Sequence, residues 1–224
     1  MSDKSEKLHC PLGENDCPIF EHVDQLKQQV ENLSNEVRTD HLTGLYNRRH
    51  LTFALEQEIE RTQRTAQPTT LVLLDLDHFK QVNDTYGHIV GDKVLIHLAN
   101  ILKATVRKLD IPCRYGGEEF AVILPSTSVF VGAQVAERIR QVVANSPLQI
   151  DQETLHISAS LGVDALSPNC LESPQELIDR ADKQLYRAKK QGRNQVCQAT
   201  QDIAPSAVSV TPSERDALFN SPED

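Results

Sequence analysis

The sequence predicts an α+β fold, an antiparallel sheet backed by helices, on three observations. The run Leu71 to Leu74 is short and apolar on both faces, as a strand covered from two sides must be. Two further strand-like segments, 111–115 and 119–124, flank the pair Gly116-Gly117 and read as a hairpin. Helical patterns lie between and after them, at 91–106, 128–145 and 174–190. The order β-α-β-β-α-β, with extra elements, is that of a ferredoxin-like, split βαβ layout.

Residues 1–18 are polar and interrupted by Pro11, Gly13 and Pro18, and read as an irregular leader. From Ile19 an apolar stripe follows: Ile19, Val23, Leu26, Val30, Leu33, Val37. Its steps alternate between four and three, the seam spacing of a coiled coil, so 19–39 reads as a helix that makes a homodimer. The alternative is an amphipathic helix lying on its own domain. Residues 40–49 (DHLTGLYNRR) are a turn-rich joint, and Asn47 is placed to cap a helix running to about Thr62. Within 91–106, Val94, Leu95, Leu98, Ile101 and Leu102 share one face. Residues 154–163 alternate like one strand, and a last short strand follows Arg193. The globular domain is therefore 40–197. The tail 198–224, rich in Ala, Ser, Pro, Thr and acids, reads as disordered.

The 224 residues carry a formal net charge of -9, which argues against a nucleic-acid polymer or membrane surface as partner. No apolar stretch reaches the roughly 20 residues of a membrane span. The start has no apolar core of a secretory signal. Five scattered cysteines make no disulfide framework, so a soluble protein of the reducing cytoplasm is expected.

The chemistry is expected where strands end. Asp75 and Asp77 close the first strand, and Glu118-Glu119 follow the glycine pair. Converging carboxylates repel one another and need a cation. A hard Mg²⁺ takes a few carboxylates together with substrate phosphates. In this reading Asp75 faces Glu118 across neighbouring strands, and Gly116 and Gly117 supply positive φ and room for a close phosphate. The bland alternative is a solvated hairpin and a strand cap.

These residues sit in a pattern that resembles the GGDEF family, the diguanylate cyclases. The motif RYGGEEF at 114–120 is similar to the family signature, with Glu118 where Asp is usual. DHLTGLYNRR at 40–49, LLDLDHFKQVNDTYGHIVGD at 73–92, RKLD at 107–110 and ADKQLYRAKKQGRN at 181–194 extend the resemblance over about 40–197. It implies a Mg²⁺-dependent nucleotidyltransferase that joins two GTP into cyclic di-GMP and releases two pyrophosphates. It implies Asp75, Glu118 and the Leu76 carbonyl as ligands of Mg²⁺ (or Mn²⁺), two per site. Glu118 is then the acceptor of the 3′-hydroxyl proton, Glu119 an alternate ligand, and Lys80 a stabiliser of transition-state charge.

By the same resemblance Asn83 and Asp92 read guanine, whose N1–H and N2–H₂ edge suits an Asp acceptor. Asp92 also stands where it would cap a helix starting near Gly91. His88 matches a substrate-contacting position, and Lys189 and Arg193 match phosphate-gripping positions. On bare sequence the last two are a basic helix end. Arg107 and Asp110 match the RxxD inhibitory site for cyclic di-GMP, with Arg114 assisting; outside the family they are a surface ion pair.

Since each family domain holds one GTP, turnover needs two facing half-sites, and the seam at 19–39 would present them. His9, Cys10, Cys17 and His22 could bind Zn²⁺, form a redox pair or dock a regulatory protein. Three rival readings remain at this point. They are a degenerate domain that senses cyclic di-GMP, a cyclase of altered nucleotide choice, and a scaffold acting through its coil.

Overall fold

The structure, a computed structural model, describes residues 23, 25–27, 29, 38–151, 153–166 and 172–199. The leader with its cysteines, most of the heptad stripe and the tail lie outside the described residues. Of the stripe, Val23 and Leu26 are described; both are helical and exposed, at 40% and 47%.

The elements in order are β1 (Tyr46–Asn47), α1 (Arg48–Thr65), β2 (Thr69–Leu76), α2 (Phe79–Tyr86), α3 (His88–Thr105), β3 (Ile111–Arg114) and β4 (Glu119–Leu124). Then come α4 (Val129–Asn145), β5 (Leu148–Ile150), β6 (Glu153–Leu155), β7 (Ala159–Leu166), α5 (Pro174–Lys190) and β8 (Val196–Gln198). The main sheet runs β1-β3-β4-β2-β7-β8. Its inner four strands are mutually antiparallel in the ferredoxin-like order, as expected. The edge strands β1 and β8 add on in parallel.

Strand β2 explains the apolar run. Every one of its residues is buried. Val72, Leu74 and Leu76 enter a core with α3 and α4, among them Val94, Leu98, Leu102 and Ile139. Leu71 and Leu73 enter a second core with α1 and α5, among them Leu51, Leu55, Leu177 and Leu185. A strand covered by helices on both faces has no solvent face to make polar. Cys113 belongs to the second core, and burial pushes its thiol up to about 12, so it serves as packing and not as a redox group.

The helix ends follow their capping chemistry. The Asn47 side chain accepts from the His50 amide and starts α1, which runs three residues past the expected end. Ser173 and Glu176 form a capping box ahead of α5, with Pro174 in the first turn.

Two expectations change. The segment 154–163 is not one strand: β6 pairs with β5 in a separate hairpin, and β7 starts at Ala159. The break falls where Ser158 turns aside to bond Asp77, through its carbonyl and its hydroxyl. The helix α2, which carries one buried residue, Phe79, is an addition to the expected elements.

The entry to the domain is tightly held. Thr39 bridges Tyr46, the Asn47 amide donates to the Arg38 carbonyl at 2.9 Å, and the Asp40 amide donates to the Leu45 carbonyl at 2.7 Å.

At Gly162 in β7 a Cβ would lie 2.2 Å from the Leu185 nitrogen and 2.3 Å from the Ala181 carbonyl. Backbone cannot step aside as a side chain can, so Gly162→Ala must push α5 off the sheet. Thermal melting should show a loss of about 1–3 kcal/mol, the usual cost of overpacking. An unchanged melt would mean α5 is not seated on β7 as described.

Candidate active site

The site is built at the end of β2, where the sheet's central strand delivers two carboxylates. Asp75 and Asp77 are 7% and 8% exposed. The strand register pairs Asp75 with Glu119 on β4 and with Ser160 on β7. The expected facing of Asp75 by Glu118 is therefore corrected by one residue. Glu118 sits in the turn ahead of β4, and its carbonyl accepts from the Leu76 amide at 3.4 Å. The last turn of α5 brings Lys189, whose Nζ stands 2.8 Å from Asp75 Oδ2. Lys189 thus meets a carboxylate here, at the place where the sequence pointed to a phosphate.

The electrostatics of the pair are lopsided. Burial raises the Asp75 carboxyl above its ordinary range, against the pull of Lys189 and Arg193, and Asp77 adds to the rise. Burial also raises Glu118, with repulsion from Asp75 and Glu119 outweighing the attraction of Lys189. Both groups therefore hold their protons more tightly than free carboxylates.

Gly116 and Gly117 act differently from the expectation. Neither lies in the left-handed region; among the described residues the glycines that do are Gly44, Gly87 and Gly192. The turn closes instead by the Tyr115 and Gly116 amides, which both donate to the Glu119 carbonyl. A Cβ on Gly116 would lie 2.8 Å from Glu119 Oε2, so a side chain there would displace the Glu119 carboxylate. Gly117 faces open space. Arg114 holds the turn from outside: its guanidinium donates to the Gly116 and Gly117 carbonyls and to both oxygens of Asp40. The structure so engages Arg114 with the hairpin and with the domain entry.

The base-reading candidates lie on α2 and α3. Gly91 is buried against Asn83, and a Cβ on Gly91 would lie 1.9 Å from Asn83 Oδ1 and 3.3 Å from Phe79 Cζ. Asn83 is thus held in place by the absence of a side chain on the facing helix. Asp92 is not a cap, because α3 begins four residues earlier at His88, after Gly87 at φ 81°. The turn before the helix uses a left-handed glycine in place of a capping side chain, which leaves the exposed Asp92 carboxylate available. His88 and Lys80 are exposed at the first turns of α3 and α2.

Arg107 and Asp110 sit elsewhere, in the turn after α3. The Asp110 carboxylate accepts from the Arg107 backbone amide at 2.7 Å, so the turn is self-capped in place of the surface ion pair considered from the sequence. Arg138 on α4 was not flagged by the sequence. It donates to the Thr105 carbonyl at 2.9 Å, two residues before Arg107. No local pattern marks it, since the two are joined only by helix packing.

The donor set suits a hard divalent cation. Asp75 and Glu118 offer carboxyl oxygens that burial makes reluctant to ionise, and the Leu76 amide is bonded to the Glu118 carbonyl beside them. Among the described residues no three His, Cys, Asp or Glu side chains are grouped to hold an ion by themselves. Among the described residues no helix is long and apolar enough to cross a membrane.

Comparison with known proteins agrees with this geometry. The family model "Diguanylate cyclase, GGDEF domain" matches residues 37–195. The response regulator PleD of Caulobacter vibrioides is 41% identical over 177 residues, which cover 78% of this chain and 39% of PleD. The chain thus spans about two fifths of that relative's length. The coiled coil and GGDEF domain of DgcB from Caulobacter crescentus, solved with c-di-GMP, superposes with a TM-score of 0.69 at 32% identity, covering 80% of this chain and 94% of that one. The diguanylate cyclase SiaD of Pseudomonas aeruginosa, solved with its activator SiaC, gives a TM-score of 0.70 at 38% identity, covering 81% and 70%. With the ferredoxin-like sheet and the carboxylates at the end of β2, these matches place the chain in the GGDEF family of diguanylate cyclases.

Proposed function

We propose that this protein is a diguanylate cyclase that condenses two GTP into cyclic di-GMP and two pyrophosphates. The observation that carries the reading is the pair Asp75 and Glu118 at the end of the central strand, beside Lys189: burial raises both carboxyls, with Asp77 adding to the rise at Asp75 and Asp75 to the rise at Glu118. Asp75, Glu118 and the Leu76 carbonyl would hold Mg²⁺ or Mn²⁺, two per site. Such ions supply charge neutralisation at the attacking and leaving oxygens.

The chain's own residues do the rest. Asn83 and Asp92 hold the guanine edge, with His88 beside them. Lys189 and Arg193 bind the triphosphate, and the open face at Gly117 admits it. Lys80 steadies the negative charge on the phosphate oxygens in the transition state. Glu118 accepts the proton of the 3′-hydroxyl as its oxygen bonds to the α-phosphorus of the second GTP and pyrophosphate leaves. The same step in the other direction closes the ring. Glu119, bonded by register beside Asp75, is the alternate ligand.

Two facing half-sites are required, and the heptad at 19–39 would provide them in a homodimer ahead of the domain at 40–197. A regulatory protein docking at the leader 1–18 fits this arrangement, by analogy with SiaD and its activator. Arg107 and Asp110, with Arg138 close by, would bind product and halt turnover; Arg114 is tied to the hairpin. The chain would work in the cytoplasm, where GTP is.

The test is to strip bound nucleotide, add GTP and Mg²⁺, and follow cyclic di-GMP. Glu118→Gln should cut the rate on the order of a hundredfold or more. It should also melt higher than the wild type at neutral pH in chelator. A carboxyl raised in the folded state costs stability when ionised. That cost is complete above the raised value and vanishes below the ordinary glutamate range, so the gain should fade as pH drops through that window. Equal product from wild type and variant would overturn the role of Glu118. If no product forms from a confirmed dimer and cyclic di-GMP still binds, the chain is a sensor instead.

Gly91→Ala meets the end of a flexible side chain where Gly162→Ala meets backbone. It should leave the melt nearly unchanged but raise KM for GTP about tenfold by displacing Asn83, an effect of roughly one lost hydrogen bond. Equal KM values would remove Asn83 from base reading. Arg107→Ala should leave the initial rate intact and abolish the later stall in progress curves; a stall that persists would place inhibition elsewhere.

A further inference from the structure

Asp77 is the one buried acid at the site that the proposed reaction does not use. It follows Asp75 and Leu76, so its default reading is another metal ligand. Its surroundings say otherwise. Oδ1 accepts from the Ser160 hydroxyl at 2.7 Å, and Oδ2 accepts from the Ser158 hydroxyl at 2.7 Å and from the Asn194 amide at 3.0 Å. Its own amide donates to the Ser158 carbonyl at 2.9 Å. Both oxygens are therefore engaged by neutral donors, whereas the oxygens of Asp75 face an ammonium.

The third donor identifies the purpose. Arg193 and Asn194 are consecutive non-glycine residues in the left-handed region, at φ 63° and 43°. Such a pair is held against its own backbone preference and persists only where the surroundings fix it. Three contacts fix it here: the Arg193 amide donates to the Ala188 carbonyl at 3.1 Å, the Asn194 amide donates to the Asp77 carboxylate, and the Arg140 guanidinium donates to Asn194 Oδ1 at 2.8 Å. The result puts the charge of Arg193 where Asp75 feels it.

We propose that Asp77 is a positioning residue whose buried carboxylate holds the Arg193–Asn194 turn, so that Arg193 meets the substrate triphosphate beside Asp75. This rests on the cyclase reading for the role of Arg193. Asp77 touches neither substrate nor ion; it acts through the turn.

The test measures initial rates of cyclic di-GMP formation on the full chain against GTP and, at saturating GTP, against Mg²⁺. Asp77→Asn keeps the shape but loses an acceptor. It should raise KM for GTP about tenfold, leave the half-saturating Mg²⁺ within about twofold, and change kcat little. Combined with Arg193→Ala, it should cost no more than Arg193→Ala alone, because the two act in series. Ser160→Ala, which removes one donor and spares the turn, should shift KM the same way by a smaller factor, and it carries the test if Asp77→Asn does not fold. An unchanged KM, a shifted Mg²⁺ requirement, or multiplying effects in the double variant would each overturn the proposal. A silent wild type overturns the cyclase reading instead. The same comparisons are then made by equilibrium binding of a non-hydrolysable GTP analogue, where equal affinities of wild type and Asp77→Asn overturn the anchor.

Discussion

Two carboxylates buried at the end of a central strand are the constraint on which the rest of this structure depends. Each would be costly alone. The fold answers them in different ways. Asp77 is satisfied by two hydroxyls and an amide, which costs the sheet the continuity of its last long strand, since Ser158 leaves the ladder to reach it. Asp75 is left with Lys189 from the end of α5 and a rising affinity for its proton. One acid is met by neutral donors, the other by a cation. The difference separates a structural carboxylate from a chemical one two residues away.

The glycines divide in the same manner. Gly162 lets one element lie on another, and its neighbours are the backbone of α5. Gly91 lets a side chain lie on a helix, and its neighbour is Asn83. Gly116 spares Glu119, and Gly117 spares nothing in the protein itself. Three kinds of vacancy appear along one chain: for packing, for positioning, and for whatever enters from solvent.

Most of the sheet was legible because burial on both faces writes itself as an apolar run, as in β2, and because turn chemistry marks the hairpin at 116–118. The helix α5 was legible from its cap and its period. What was missed has physical reasons. The helix α2 is only eight residues long, and its stripe is short, Phe79 buried with Val82 packed beside it. The alternation at 154–163 is a property of side chains, and it runs on through a change of pairing partner that only tertiary structure decides. Asp92 looked like a cap because a left-handed Gly87 can open α3 without one. Of the two roles read for the glycine pair, positive φ and room for a phosphate, the structure removes the first. Arg138 and the anchoring of Asn194 by Asp77 join residues far apart in sequence, and no local pattern carries them.

The entry segment has a mechanical meaning. Residues 38–47 are bonded to one another, and Asp40 grips the same guanidinium that grips the carbonyls of Gly116 and Gly117. A single ion pair separates the first described residues of the domain from the turn that carries Glu118. One guanidinium therefore clamps two places distant in sequence, the entry to the domain and the turn before β4.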